Sequence, residues 1–150
     1  MVDMGGATNI GRQLETWGPP GEDLRVLGLC DQREARFFRR ALQRNGLVAP
    51  GEDADLTTYG FFTCVEDLED ELVRALGVPA VEQVVAAAGE LGALRTLQRQ
   101  PAQRERPVEL QLRRFLGSHS GRKARYARLL VEALEPDAVP APLDGLLTRL

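Results

Sequence analysis

The sequence predicts an α/β fold, a small parallel sheet followed by a C-terminal helical segment. Three observations predict it. Short apolar runs alternate with helical patterns up to residue 78, which is the signature of strands joined by crossover helices. Beyond that point the strands stop and the chain reads as helix almost to its end. The composition is that of an ordinary domain: 150 residues, 43% hydrophobic and 27% charged, enough to bury a core.

The first apolar run, MVDM at residues 1–4, leads into NIGRQLETW, where Ile10, Leu14 and Trp17 fall at helical spacing. Between them lies GGATNIG. Gly6 and Gly11 are spaced as in a phosphate-cradling loop, but Arg12 and Gln13 replace its lysine and hydroxyl residue. A structural turn is the better reading. Gly5 and Gly6 permit a tight bend, and Thr8 or Asn9 can cap a helix beginning at Ile10. The second run, LRVLGLC at 24–30, precedes QREARFFRRALQRNG, with Phe37, Phe38, Ala41 and Leu42 inward and Gly46 as the stop. The third, GFFTCV at 60–65, precedes DLEDELVRALG, with Leu68, Leu72, Val73 and Leu76 inward and Gly77 ending it. Residues 47–59 form a polar loop.

From Pro79, well placed in a first helical turn, residues 79–100 read as one helix. PVELQLRRFLG and SGRKARYARLLVEALE follow as two more, then a proline-punctuated loop and a short final helix. Residues 1–78 are therefore expected to form an α/β core and 79–150 a helical extension packed on it within one domain. The first strand has nothing ahead to flank it, so the expectation is the back part of a larger α/β unit.

Net charge is −3, so nucleic-acid binding would need a local patch rather than a basic surface. Two cysteines, Cys30 and Cys64, cannot make a disulfide framework and read as buried core thiols in a reducing cytoplasm. No apolar stretch is long enough for a membrane helix, and the start is acidic and glycine-rich, unlike a secretory leader. His119 has no Cys or His neighbour for zinc, nor the setting of a Ser-His-Asp triad. Of 19 basic residues, 18 are Arg and one, Lys123, is Lys. That bias suits a GC-rich bacterial genome, and it makes the one cation able to lose a proton worth noting.

In open parallel sheets, active sites gather at the carboxyl ends of the strands. Asp31 ends the second run, and Glu66, Asp67, Glu69, Asp70 and Glu71 follow the third. Two carboxylate groups on neighbouring strand ends suit a hard cation such as Mg²⁺, which can clamp a phosphodiester and activate water. The same acids would equally serve as helix caps favoured by the macrodipole. A basic patch, Arg113, Arg114, Arg122, Lys123, Arg125 and Arg128 with Tyr126 among them, could meet a phosphate backbone or be a solvated helix face.

In this order, a strand ending in Asp31, a strand running into VEDLEDEL and a distal GRKARYARLLVEAL resemble the Toprim domain of OLD-family nucleases, relatives of ATP-dependent endonucleases. VDMGGATNIGRQLE is similar to the turn after the second strand in those relatives. The resemblance spans nearly the whole chain but only the later part of the domain. It implies metal-dependent cleavage or phosphoryl transfer on DNA with Mg²⁺ or Mn²⁺, usually in a protein that also carries an ATPase domain. It puts the second acidic motif on Asp31, with Arg33 where a second acid stands and Glu34 as the nearest substitute. It puts the later acidic motif on Asp67 and Glu69, with Asp70, and the distal lysine on Lys123, which would steady a phosphate or leaving oxygen. DNA would approach along Arg113, Arg114, Arg122, Lys123 and Arg125. The family's first motif, a glutamate in an EG-x-x-D-like turn, has no counterpart, so activity would need an ATPase domain or the missing front half as partner, and a homo-oligomer is compatible with this. The alternative is a non-catalytic α/β interaction module in which the acids cap helices and the arginines pair with them.

Overall fold

The computed structural model describes residues 6–118 and 120–150. The expected strand at 1–4, Gly5 and His119 lie outside these residues. The fold is α/β, a two-stranded parallel sheet with helices α1 (Ile10–Trp17), α2 (Ala35–Arg44), α3 (Leu68–Ala87), α4 (Leu91–Gln98), α5 (Val108–Leu116), α6 (Ser120–Glu132) and α7 (Ala141–Leu147). No helix among the described residues is long and apolar enough to cross a membrane. The chain divides into two compact units. One comprises residues 1–67 and 141–150, the other 68–140. Residues 68–78, grouped with the strands by sequence, start the helical unit, because α3 packs along α5 and α6. The last ten residues return to the strand unit, where α7 lies on the sheet.

In the strand unit, β1 (Gly28–Asp31) and β2 (Phe61–Cys64) run parallel, with Gly28 opposite Phe61 and Asp31 opposite Cys64. Helix α2 makes the crossover between them. Successive strand residues face opposite sides. Cys30 and Phe61 therefore join a core with Ile10, Leu14, Phe38 and Leu42, in which the Phe38 and Phe61 rings meet edge-on at 5.1 Å. Phe62 faces the other way, against α7, where Gly145 leaves room for its ring: a Cβ there would meet Phe62 at 2.5 Å. Both cysteines are buried and unbridged.

The strand expected over 24–30 is shorter than the apolar run. The ladder closes at Gly28, whose N–H donates to Gly60 O at 3.0 Å. Gly60 has φ 84° and the chain ahead of it is a 3-10 turn, Leu56–Tyr59, so residues 24–27 have no extended partner. At the other end of α2, Gly46 adopts φ 70°, and Leu47 N–H returns to Leu42 O, closing the helix as its sequence predicts. Before α1, a 3-10 turn over Ala7–Asn9 feeds directly into the helix, with Asn9 N–H on Gly6 O.

In the helical unit, α3 breaks at Gly77 (φ 75°, ψ 157°), the expected stop, and resumes with Pro79 in the new first turn. The helix expected over 79–100 is two, because Gly89 at φ 77° ends the first and Leu91 begins the second. Leu72, Val81, Leu94, Leu112, Tyr126 and Leu130 fill the interior. Tyr126 and Phe115 meet edge-on at 6.0 Å.

Candidate functional site

The carboxyl end of the sheet is built by short-range capping. Asp31 Oδ1 accepts from Glu34 N–H at 2.7 Å, and Glu34 Oε2 accepts from Asp31 N–H at 3.4 Å. This reciprocal pair is a capping box, readable in the sequence as D-x-x-E. It holds the strand end to the start of α2 and places two of the predicted metal-binding acids side by side. Arg33, between them, points to Glu66 just beyond β2, at 3.8 Å, with both side chains well exposed. Since β1 and β2 are parallel and in step, Asp31 and the chain entering Glu66 and Asp67 leave the same end of the sheet. The Cys30 thiol is pushed above its ordinary value chiefly by burial, which keeps it protonated and unreactive.

The remaining predicted acids open α3 in the helical unit. Glu69 is 3% exposed, and Lys123 Nζ stands 3.4 Å from its Oε1. That approach is an ion pair but is not aligned as a hydrogen bond, and Oε1 has no hydrogen-bond partner. Lys123 itself is more than half exposed. Asp70 takes Arg74 Nε at 2.9 Å, with Arg113 at 4.0 Å, and Glu71 takes Arg74 at 2.8 Å. Among the described residues of either unit, no three carboxylate, imidazole or thiol groups converge on one cation position. A carboxylate offers about four lone-pair sites, so the capping bonds leave Asp31 and Glu34 with acceptor capacity. Mg²⁺ characteristically takes one or two carboxylates and completes its shell with water and phosphate oxygens. The pair fits such an ion by donor type.

The basic patch has a structural component that charge counting could not reveal. Arg122 donates from Nε to Glu90 Oε2 at 3.2 Å and from NH1 to Ser118 Oγ at 2.7 Å, and it stacks over Phe115. Arg125 donates to Ala88 O and lies 3.7 Å from Glu90. Tyr126 O–H also donates to Glu90, at 2.9 Å. The Tyr126 hydroxyl and Arg122 hold Glu90 below the ordinary carboxylate range. Arg128 is bonded to Glu132 within α6. Arg114 is exposed on α5. The predicted nucleic-acid contacts thus include two arginines anchored on one glutamate that sequence reasoning did not single out.

Sequence reasoning also passed over the stretch RTLQRQPAQRER at 95–106, which carries four arginines and one acid. The local charge density was its available signal. Compared with protein families, curated proteins and solved structures, the chain matches none.

Proposed function

We propose that the chain is the later part of a Toprim-like nuclease domain of OLD type, acting on DNA phosphodiesters with Mg²⁺ or Mn²⁺. The observation that carries this reading is the sheet register. Asp31 stands opposite Cys64 in a parallel pair, so Asp31 and the chain entering Glu66 and Asp67 leave the same end of the sheet, the end at which α/β ligand sites form. Asp31 and Glu34 would hold the ion, with Asp67 next along that edge. A bound divalent ion supplies Lewis-acid polarisation of a phosphodiester. The pairing of Lys123 with buried Glu69 is a second support: the distal lysine and the later acidic motif meet although 54 residues separate them in sequence (123 − 69). An ammonium on a flexible stem can steady a phosphate or a departing oxygen. The proposed partners are DNA and either an ATPase domain or a segment supplying the front of the domain; a cytoplasmic setting and self-association fit the same reading.

A second reading, a non-catalytic interaction module, is favoured by the pairing of Asp70 and Glu71 with Arg74 and by the capping role of Asp31. Asp31→Asn separates the two. It keeps an oxygen to cap Glu34 N–H but removes the charge a cation needs. Calorimetric titration with Mn²⁺ should show binding by the parent chain and at least tenfold weaker binding by Asp31→Asn, with the fold intact by circular dichroism. Lys123→Ala, which leaves Asp31 and Glu34 in place, should retain Mn²⁺. Equal Mn²⁺ affinity in the parent and Asp31→Asn would reject the assignment, and a well-folded parent that binds no Mn²⁺ at millimolar concentration would favour the module.

A further inference from the structure

We propose that the concavity formed by Arg95, Gln98, Arg99 and Arg104 in the helical unit is the docking site for the phosphate backbone of duplex DNA. It rests on the nuclease reading for the identity of the polyanion, and its location departs from the basic patch on α5 and α6. Three observations carry it.

The first is charge that is not spent internally. On α5 and α6, Arg113, Arg122, Lys123 and Arg125 all lie within ion-pair distance of Asp70, Glu69 or Glu90. Arg99, by contrast, reaches only Thr96 Oγ1, at 3.5 Å, and has no carboxylate within ion-pair distance among the described residues. Arg104 has only Glu105, at 3.7 Å, and both side chains are largely exposed, where such a pair is weak. Residues 96–106 carry a net charge of +2, from Arg99, Arg104 and Arg106 against Glu105.

The second is shape. Arg95, Gln98, Arg99 and Arg104 line one open depression. Arg95 forms its wall in a fixed pose, bonded to both oxygens of Glu82 at 2.6 and 2.8 Å and to Gln98 at 2.7 Å. Its charge is neutralised there, so Arg99 and Arg104 are the residues left to meet phosphate.

The third is preorganisation. Cations near the end of α4 could be explained by the helix dipole alone, but Arg104 lies beyond the helix, on a turn pinned from beneath. Buried Gln111 of α5 donates from Nε2 to Gln103 O and to Arg106 O, both at 2.9 Å. A turn held on both sides of Arg104 presents its guanidinium at low entropic cost, which an ordinary solvated arginine does not need. Guanidinium forks match phosphate oxygens in pairs.

The test is fluorescence anisotropy of the full chain with a labelled DNA duplex, in EDTA, across a salt series. Arg99→Glu/Arg104→Glu should weaken binding by about tenfold or more and lower the log–log salt slope by about two, one for each phosphate no longer neutralised. Arg99→Lys/Arg104→Lys, which keeps the charge but not the paired donors, should weaken binding less than Arg99→Glu/Arg104→Glu and leave the salt slope near the parent's. Parent-like affinity and slope in Arg99→Glu/Arg104→Glu would overturn the site even if Mn²⁺ binding at Asp31 holds. Loss of duplex binding in that variant, in a chain that binds no Mn²⁺, would uphold the site while removing the nuclease reading. Competition by inorganic phosphate at micromolar concentration would also overturn it, since it would mark a small-anion site.

Discussion

The hydroxyl of Tyr126 donates a 2.9 Å hydrogen bond to Glu90, a residue 36 positions earlier in the chain. Tyr126 is fully buried, and its hydroxyl is pushed up to about 12, first by burial and then by the bond to Glu90. The fold therefore favours the neutral phenol. Its contribution to stability is complete below the ordinary phenol value of about 10 and is lost as pH rises through about 12. Glu90 has the opposite sign. Its folded value is depressed, so its contribution is present above the ordinary carboxylate value of about 4.3 and disappears as pH falls through the folded value. Tyr126→Phe keeps the ring and removes the bond, at an expected cost of about 1–2 kcal/mol in urea unfolding at neutral pH. In a phenolate absorbance titration of a chain with two tyrosines, the step near 12 should vanish with that substitution. Glu90→Gln should flatten the acid limb of the stability curve. A Tyr126→Phe chain that retains the high step would show that the buried hydroxyl does not titrate as argued.

The junction between the two strands depends on a residue without a side chain. Gly60 has φ 84°, and a Cβ added there would stand 2.5 Å from Leu27 Cδ2 and 3.1 Å from Val26 O. Gly46, at φ 70°, faces open space. Alanine at either position incurs the left-handed backbone cost, about 1–2 kcal/mol. At Gly60 it must also displace Leu27, which adds overpacking of about 1–3 kcal/mol. Gly60→Ala is thus expected to destabilise by about 3 kcal/mol or more and Gly46→Ala by about 1–2. Equal losses in paired denaturant titrations would show that Leu27 yields freely and that the close approach is not what fixes the end of the ladder.

These two sites mark where the sequence could be read and where it could not. The stop of α2 at Gly46 and the break of α3 at Gly77 follow from local conformation, which a glycine after a helical pattern signals directly. The true start of β1 does not, because it is set by the partner strand: only from Phe61 on does β1 have an extended neighbour, so the apolar run at 24–30 overstates the ladder. The D-x-x-E capping box was present as a motif, yet Asp31 and Glu34 could be read as cap or as ligand from the same letters. Glu69 and Lys123 each stood out in the sequence, the one in the acidic run and the other by the rarity of lysine, but their pairing did not, since nothing local links residues so far apart. Glu90 gave no signal at all. A lone glutamate between the turn at Gly89 and the start of α4 acquires its meaning only when α6 brings Tyr126, Arg122 and Arg125 to it.

Gln111 is the corresponding case for the proposed DNA surface. Its side chain is 5% exposed and bonds the carbonyls of Gln103 and Arg106. Leucine fills a similar volume but cannot donate, so Gln111→Leu leaves two acceptors inside the unit without that partner. The expected cost is about 2–3 kcal/mol, accompanied by faster hydrogen exchange at the amides of Gln103, Arg104 and Arg106, whose own bonds shape the turn. The apolar gain of leucine partly offsets this, so exchange is the sharper readout. If the turn is what presents Arg104, duplex affinity should also fall although every arginine remains, and it should fall less than in Arg99→Glu/Arg104→Glu. Exchange at these amides unchanged from the parent would mean that the turn is held without Gln111, and the preorganisation argued for Arg104 would fail with it.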